Sequence, residues 1–229
     1  MYVGIDVGKD RTFVVAVMDE NKVVKSINTF WKEGLLWFLE HNRARIISVN
    51  APLYIHHEQT EAEKQLGLEP PILENKEIVG VPKYSFELFN KLYTLLGYEL
   101  ANEKNIKNTS KKLVARVYTQ PFYERMIKKE VLPITTREGI EQRLYKLPKT
   151  GIIVDRNILS TDRKMLAREV ESIIAAYNSY CIDRGDVEIY GKLGEEQIFS
   201  PKYKFVLKSK RFSNERKKEN YESKPSKNS

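Results

Sequence analysis

Cys181 is the only cysteine in the 229-residue chain. No internal disulfide can form, so a disulfide-stapled secreted scaffold is excluded and a reducing, cytoplasmic setting is expected. Long apolar runs are also missing. The strongest, FVVAVM at 13–18, has the length of a strand and falls far short of the roughly 20 residues a membrane-crossing helix needs, so no membrane partner is expected. The opening MYVGIDVGKD puts Asp6, Lys9 and Asp10 where a signal peptide would need an unbroken apolar segment. Three common chemistries lack their motifs. There is no GxxxxGK[ST] loop, no GxGxxG after a strand and no Cys/His set at zinc spacing, which removes P-loop nucleotide hydrolysis, Rossmann dinucleotide binding and structural zinc. His56 and His57 are adjacent, without an i,i+4 or carboxylate partner, and read as a solvated loop; Cys181 reads as packed rather than reactive.

What is present is a globular composition, 41% hydrophobic and 31% charged, with enough length to bury a core in one or at most two domains. The formal charge of +8 is unevenly spread. Residues 202–229 hold ten basic and three acidic residues, which leaves 29 basic and 28 acidic residues in 1–201. A nearly neutral body over 1–201 is therefore followed by a basic tail over 202–229, which from Ser209 onward has too few apolar residues to offset the entropy of ordering. Such a tail solubilises the chain or gathers phosphate backbones, the latter through Lys210, Arg211, Lys217 and Lys218.

Residues 2–7, 12–18 and 22–28 are β-branched segments separated by short polar turns, the pattern of a three-stranded antiparallel meander. Apolar spacing then predicts a helix over 32–42 and a strand over 46–50. A short helix and an irregular loop are expected within 55–80, and an amphipathic helix over 84–100. A fifth strand follows over 113–119, then helices near 120–130, 136–147 and 162–181. That order implies a mixed sheet with helices on its faces.

Asp6 is the one charged residue of the first strand. A carboxylate there is costly unless it is paired, hydrogen-bonded or bound to a cation, and the turn position that would otherwise explain it belongs to Asp10. These residues resemble the start of the ribonuclease-H-like superfamily, whose first strand ends in an aspartate. More narrowly, the chain is similar to the domain of unknown function 429 family of predicted nucleases, through GIDVGKDRTFVVAV at 4–17, SVNAPL at 48–53, EQTEAEKQLGLEPP at 58–71, EVESIIAAY at 169–177 and GKLGEEQIFSP at 191–201. The first 40 residues also resemble the DEDD transposase and DNA-invertase family, which shares that fold but carries a serine-bearing C-terminal domain not seen here. A sugar-kinase or actin-like ATPase shares the Asp-x-Gly of strand one but needs a duplicated domain.

The resemblance implies a ribonuclease-H-like, five-stranded mixed sheet. It also implies two-metal cleavage of phosphodiesters, in which clustered carboxylates hold Mg²⁺ or Mn²⁺. Asp6 and Glu171 are the metal ligands it implies, with Asn50 and Glu169 in support and Lys9 beside nucleic acid. The family's second aspartate is met by Asn50 and its strand-five glutamate by Arg116, so the acidic site is degenerate and weak or no activity is implied. Arg116 is expected to take the metal's place and pair with Asp6; with Arg116 turned elsewhere, Glu124 or Glu58 would be left to complete the site. The leading reading is a metal-dependent nuclease with an incomplete site. Its competitor is a noncatalytic nucleic-acid-binding or assembly module of the same fold.

Overall fold

The computed structural model describes residues 1–54, 58–70, 80–128 and 130–203, together with the backbone of 73–74 and 77–78. His56, His57 and the tail cations Lys210, Arg211, Lys217 and Lys218 lie outside the described residues.

Three hairpin-linked strands open the chain: β1 (Tyr2–Val7), β2 (Phe13–Met18) and β3 (Val24–Phe30). Asp10 accepts from the Thr12 N–H and hydroxyl in the first turn, and Asp19 accepts from the Asn21 and Val23 N–H groups in the second. Short side chains returning to their own backbone are what makes such turns form. Helix α1 (Lys32–Asn42) leads to β4 (Ile46–Asn50). Helix α2 (Glu61–Leu66), the two-residue strands β5 (Leu73–Glu74) and β6 (Glu77–Ile78), and helix α3 (Val81–Leu96) come next. After β7 (Glu99–Leu100) and β8 (Leu113–Val117) come α4 (Gln120–Ile127), α5 (Arg137–Lys146) and the long α6 (Arg163–Arg184), then β9 (Val187–Tyr190) and β10 (Ile198–Pro201).

The main sheet runs β3-β2-β1-β4-β8-β10-β9, with β7 also paired to β8, and so has eight strands rather than the five expected. The five expected strands are its β3-β2-β1-β4-β8 portion; the three additions are only two to four residues long, too short for an alternating pattern to show. The expected helix over 84–100 is also corrected. It starts at Val81 and ends at Leu96, because Gly97 takes the left-handed conformation (φ 70°) that stops a helix, and Glu99–Leu100 then pair with β8.

One core lies on each face of the sheet. On one face Val3, Ile5, Val15, Ile47 and Val49 pack with Leu35 and Leu39 of α1 and Leu88 and Leu92 of α3. On the other, Ala16, Met18, Leu113 and Ala115 pack with Ile173, Ile174 and Tyr177 of α6 and with α4 and α5. Cys181 is buried in this second core. Helix α6 crosses β1 at Gly4, where a Cβ would stand 2.0 Å from the Ala176 nitrogen and 2.2 Å from the Ser172 oxygen. Backbone-to-backbone contact of this kind admits only glycine. It presses α6 onto the strand that carries Asp6, and the Ser179 hydroxyl, donating to the Val3 carbonyl at 2.9 Å, fixes the helix along it. None of the described helices is long and apolar enough to cross a membrane.

Candidate functional site

Strands β1 and β4 are parallel neighbours, and their register places Asp6, one residue from the end of β1, directly beside Asn50 at the end of β4. Residues opposite one another in a parallel pair project from the same face. Here that face is the one under α6, and the helix lowers Glu171 onto the pair. The Asn50 amide donates to Glu171 Oε2 at 3.2 Å and reaches Asp6 Oδ1 at 3.5 Å. The Thr119 hydroxyl, just beyond β8, donates to the same Glu171 oxygen. Asp6, Asn50 and Glu171 are thus brought together.

Glu169 and Arg116 are not part of this group. Glu169 accepts from the Ser160 N–H at 2.7 Å, because residues two apart on a helix point in different directions. Arg116 pairs with Val49 rather than Asn50 in the β4–β8 register, so it projects from the opposite face. A one-residue offset in a strand is enough to do this. Its guanidinium is buried there and donates at 2.9 Å to both Glu63 and Glu196. The expected Asp6–Arg116 pair is therefore corrected. Glu124 does not replace it, since it accepts from Gln120 at 3.1 Å within α4.

The cation that does meet Asp6 is Arg168 of α6, one helical turn before Glu171 and so on the same side of the helix. Its Nε donates to Asp6 Oδ2 at 2.9 Å, and its two terminal nitrogens donate to the Thr12 hydroxyl and carbonyl at 2.8 Å each. The guanidinium rests against the β1–β2 turn, and Gly8 makes room for it. A Cβ at position 8 would stand 2.6 Å from Arg168 Nη2 and 2.3 Å from Asp10 Oδ1. The two glycines of GIDVGKD therefore have separate duties, Gly4 under α6 and Gly8 under Arg168.

A second guanidinium closes the other side. Arg143 of α5 is buried, stacks 4.7 Å from the centre of the Tyr123 ring, and holds its Nε 3.9 Å from Glu171 Oε1. That Nε–H has no hydrogen-bond acceptor among the described residues. The whole group opens into a cleft of about 760 Å³ whose lining adds Lys9, Arg163 and Lys164. Five cations thus surround two carboxylates. Spacing alone gave no sign of Arg143 or Thr119, which tertiary packing brings in; Arg168 was one turn from a residue already singled out.

Burial dominates the acid chemistry. It raises Glu171 from the ordinary glutamate value to about 7, with the Thr119 hydrogen bond and Arg143 opposing and the Asp6 charge adding to the rise. Burial likewise raises Asp6 to about 6 against the pull of Arg168. The folded chain therefore binds protons more tightly than the unfolded one, so this contribution to stability is present at low pH and is lost as pH climbs from about 4.5 to about 7. Glu171→Gln, which mimics the protonated acid, is expected to stabilise the protein by on the order of 1–3 kcal/mol at pH 8 and to change little at pH 5. Urea denaturation at both pH values checks this, and an equal effect at the two would count against it.

A pair of divalent ions does not fit these residues. Each hard cation needs several oxygen ligands and negative charge. Here both oxygens of Asp6 face donors, as does Glu171 Oε2, while Glu171 Oε1 faces the Arg143 guanidinium. No cluster of three or more His, Cys, Asp or Glu able to hold a metal occurs among the described residues. No protein-family model, curated protein or solved structure matches the chain.

Proposed function

We propose that this is a ribonuclease-H-like protein akin to the domain of unknown function 429 family. In our reading it binds nucleic acid through the α6 cleft without hydrolysing it. Kinship is supported by the motifs quoted above and by the order β3-β2-β1-β4-β8, an antiparallel meander continued by two parallel strands with an aspartate one residue from the end of the first. The observation that carries the functional reading is the Arg168 guanidinium seated on Asp6, where the resemblance calls for a metal ion. A fixed positive charge there neutralises the acid but supplies neither an activated water nor a site for a leaving oxygen. The surrounding cations Lys9, Arg143, Arg163 and Lys164 give the cleft an excess of positive charge, which suits phosphate groups. The nuclease reading is thereby set below the noncatalytic one.

Labelled single-stranded, duplex and hybrid substrates incubated with the full-length chain in Mg²⁺ or Mn²⁺ test this. Binding that weakens steeply with salt is expected, with no cleavage above background. Cleavage that disappears in both Asp6→Asn and Glu171→Gln would establish the nuclease instead. Absence of both binding and cleavage would remove both readings.

A further inference from the structure

The β1–β2 turn stands between two concavities. Lys9 lines the α6 cleft, whereas Arg11, two residues on, lines a pocket of about 360 Å³ on the other face, between α1 and α3. Arg11 holds a left-handed backbone (φ 65°), so the turn directs its two cations to different sides. At most about 7 Å of chain separates them. The second pocket is walled by Trp31 and Tyr84, with Phe13 buried beside them. Arg11 lies 5.5 Å over the Tyr84 ring and donates to its hydroxyl at 3.2 Å, which fixes that wall. Trp31 is 63% exposed, a large cost in apolar surface for a residue just outside a helix. Lys32 is paired with Glu87 at 3.2 Å, whereas Lys83 makes no ion pair among the described residues.

An exposed indole beside a fixed phenol, with cations between them and the basic cleft, is the combination that holds unpaired bases. The cations track the backbone and each base lays its π-face on an aromatic ring. We propose that this pocket takes a base of a single-stranded nucleic acid whose backbone passes over the β1–β2 turn from the α6 cleft. The proposal rests on the nucleic-acid reading above and adds strand preference to it. In a duplex the base faces are stacked on one another and closed to Trp31.

Trp31 and Trp37 are the only two tryptophans. In a Trp37→Phe background, therefore, emission excited at the red edge of tryptophan absorption, beyond the reach of the tyrosines, reports Trp31 alone. An oligothymidylate of about 12 nucleotides is expected to quench it, whereas an abasic strand of equal length and charge binds without quenching. Trp31→Ala is expected to weaken oligothymidylate binding about 10-fold while leaving its salt slope and the affinity for the abasic strand unchanged, and Trp31→Phe should restore part of the loss. Salt-dependent binding that Trp31→Ala leaves intact would overturn the pocket assignment while the cleft stands. Equal quenching by an oligoglutamate peptide would assign the pocket to acidic protein instead. Failure of every oligonucleotide to bind would overturn both the pocket and the cleft.

Discussion

Arg116→Met is expected to lower the unfolding free energy by about 3–5 kcal/mol, the range seen when one partner of a buried ion pair is removed. Arg116 is 5% exposed, and Glu63 and Glu196, each 2.9 Å from its guanidinium, are 0% and 2% exposed. Methionine fills similar space but takes the guanidinium away from both buried carboxylates. Each carboxylate also has a backbone duty. Glu63 Oε2 accepts from the Thr60 N–H in the capping box of α2, and Glu196 Oε1 accepts from the Leu53 N–H at 2.6 Å. The arginine thus ties α2, the loop after β4 and the approach to β10 to the sheet centre. Substituting all three residues, Arg116→Met with Glu63→Gln and Glu196→Gln, keeps a carbonyl oxygen for each N–H and removes the charges of this cluster. That variant is expected to recover part of the loss, because the charges of the cluster are gone while the two new amide N–H groups still have to find acceptors. Guanidinium denaturation of the two variants decides the matter. A loss under about 1 kcal/mol for the single substitution would mean that the carboxylates find other partners.

The same residue shows where reading the chain as a string stops. The first three strands were legible because β-branched runs are broken by Asp-containing turns. The meeting of Asp6 with Asn50 follows once β1 and β4 are parallel neighbours ending within one residue of each other. Arg116 was misplaced because side chains alternate faces every residue, and nothing local fixes the β4–β8 register to the one residue needed. Arg168 could have been found from Glu171 by helical spacing, since residues three apart share a face. Arg143 could not. It lies on α5, and only the packing of α5 against α6 carries it to Glu171. Strands β7, β9 and β10 were lost for a different reason: segments of two to four residues take their conformation from the neighbour they pair with rather than from a pattern of their own.

Arg163→Glu with Lys164→Glu is expected to reduce affinity for single-stranded nucleic acid by on the order of 100-fold at about 0.1 M salt, and to make the salt dependence shallower by about 1.5 in log–log slope. The two residues stand in the first turn of α6 and line the cleft as exposed side chains. Cations do not belong there on stability grounds. The positive end of the helix dipole and the free N–H groups of that turn favour acids, and this turn has none. Asp162 at the N-cap, accepting from the Met165 N–H at 2.8 Å, already does what the fold requires. Glutamate at 163 and 164 should therefore leave the unfolding free energy unchanged or raise it by a few tenths of a kcal/mol. Loss of binding in that variant then reads the charge of the cleft rather than damage to the helix. Arg168, by contrast, is held by Asp6 and Thr12, so its removal would disturb structure and binding together. Binding titrations at several salt concentrations, beside a thermal melt, separate the two contributions. A variant of native affinity and native salt slope would mean that phosphates do not pass this end of α6, and the cleft would lose its claim to the nucleic acid.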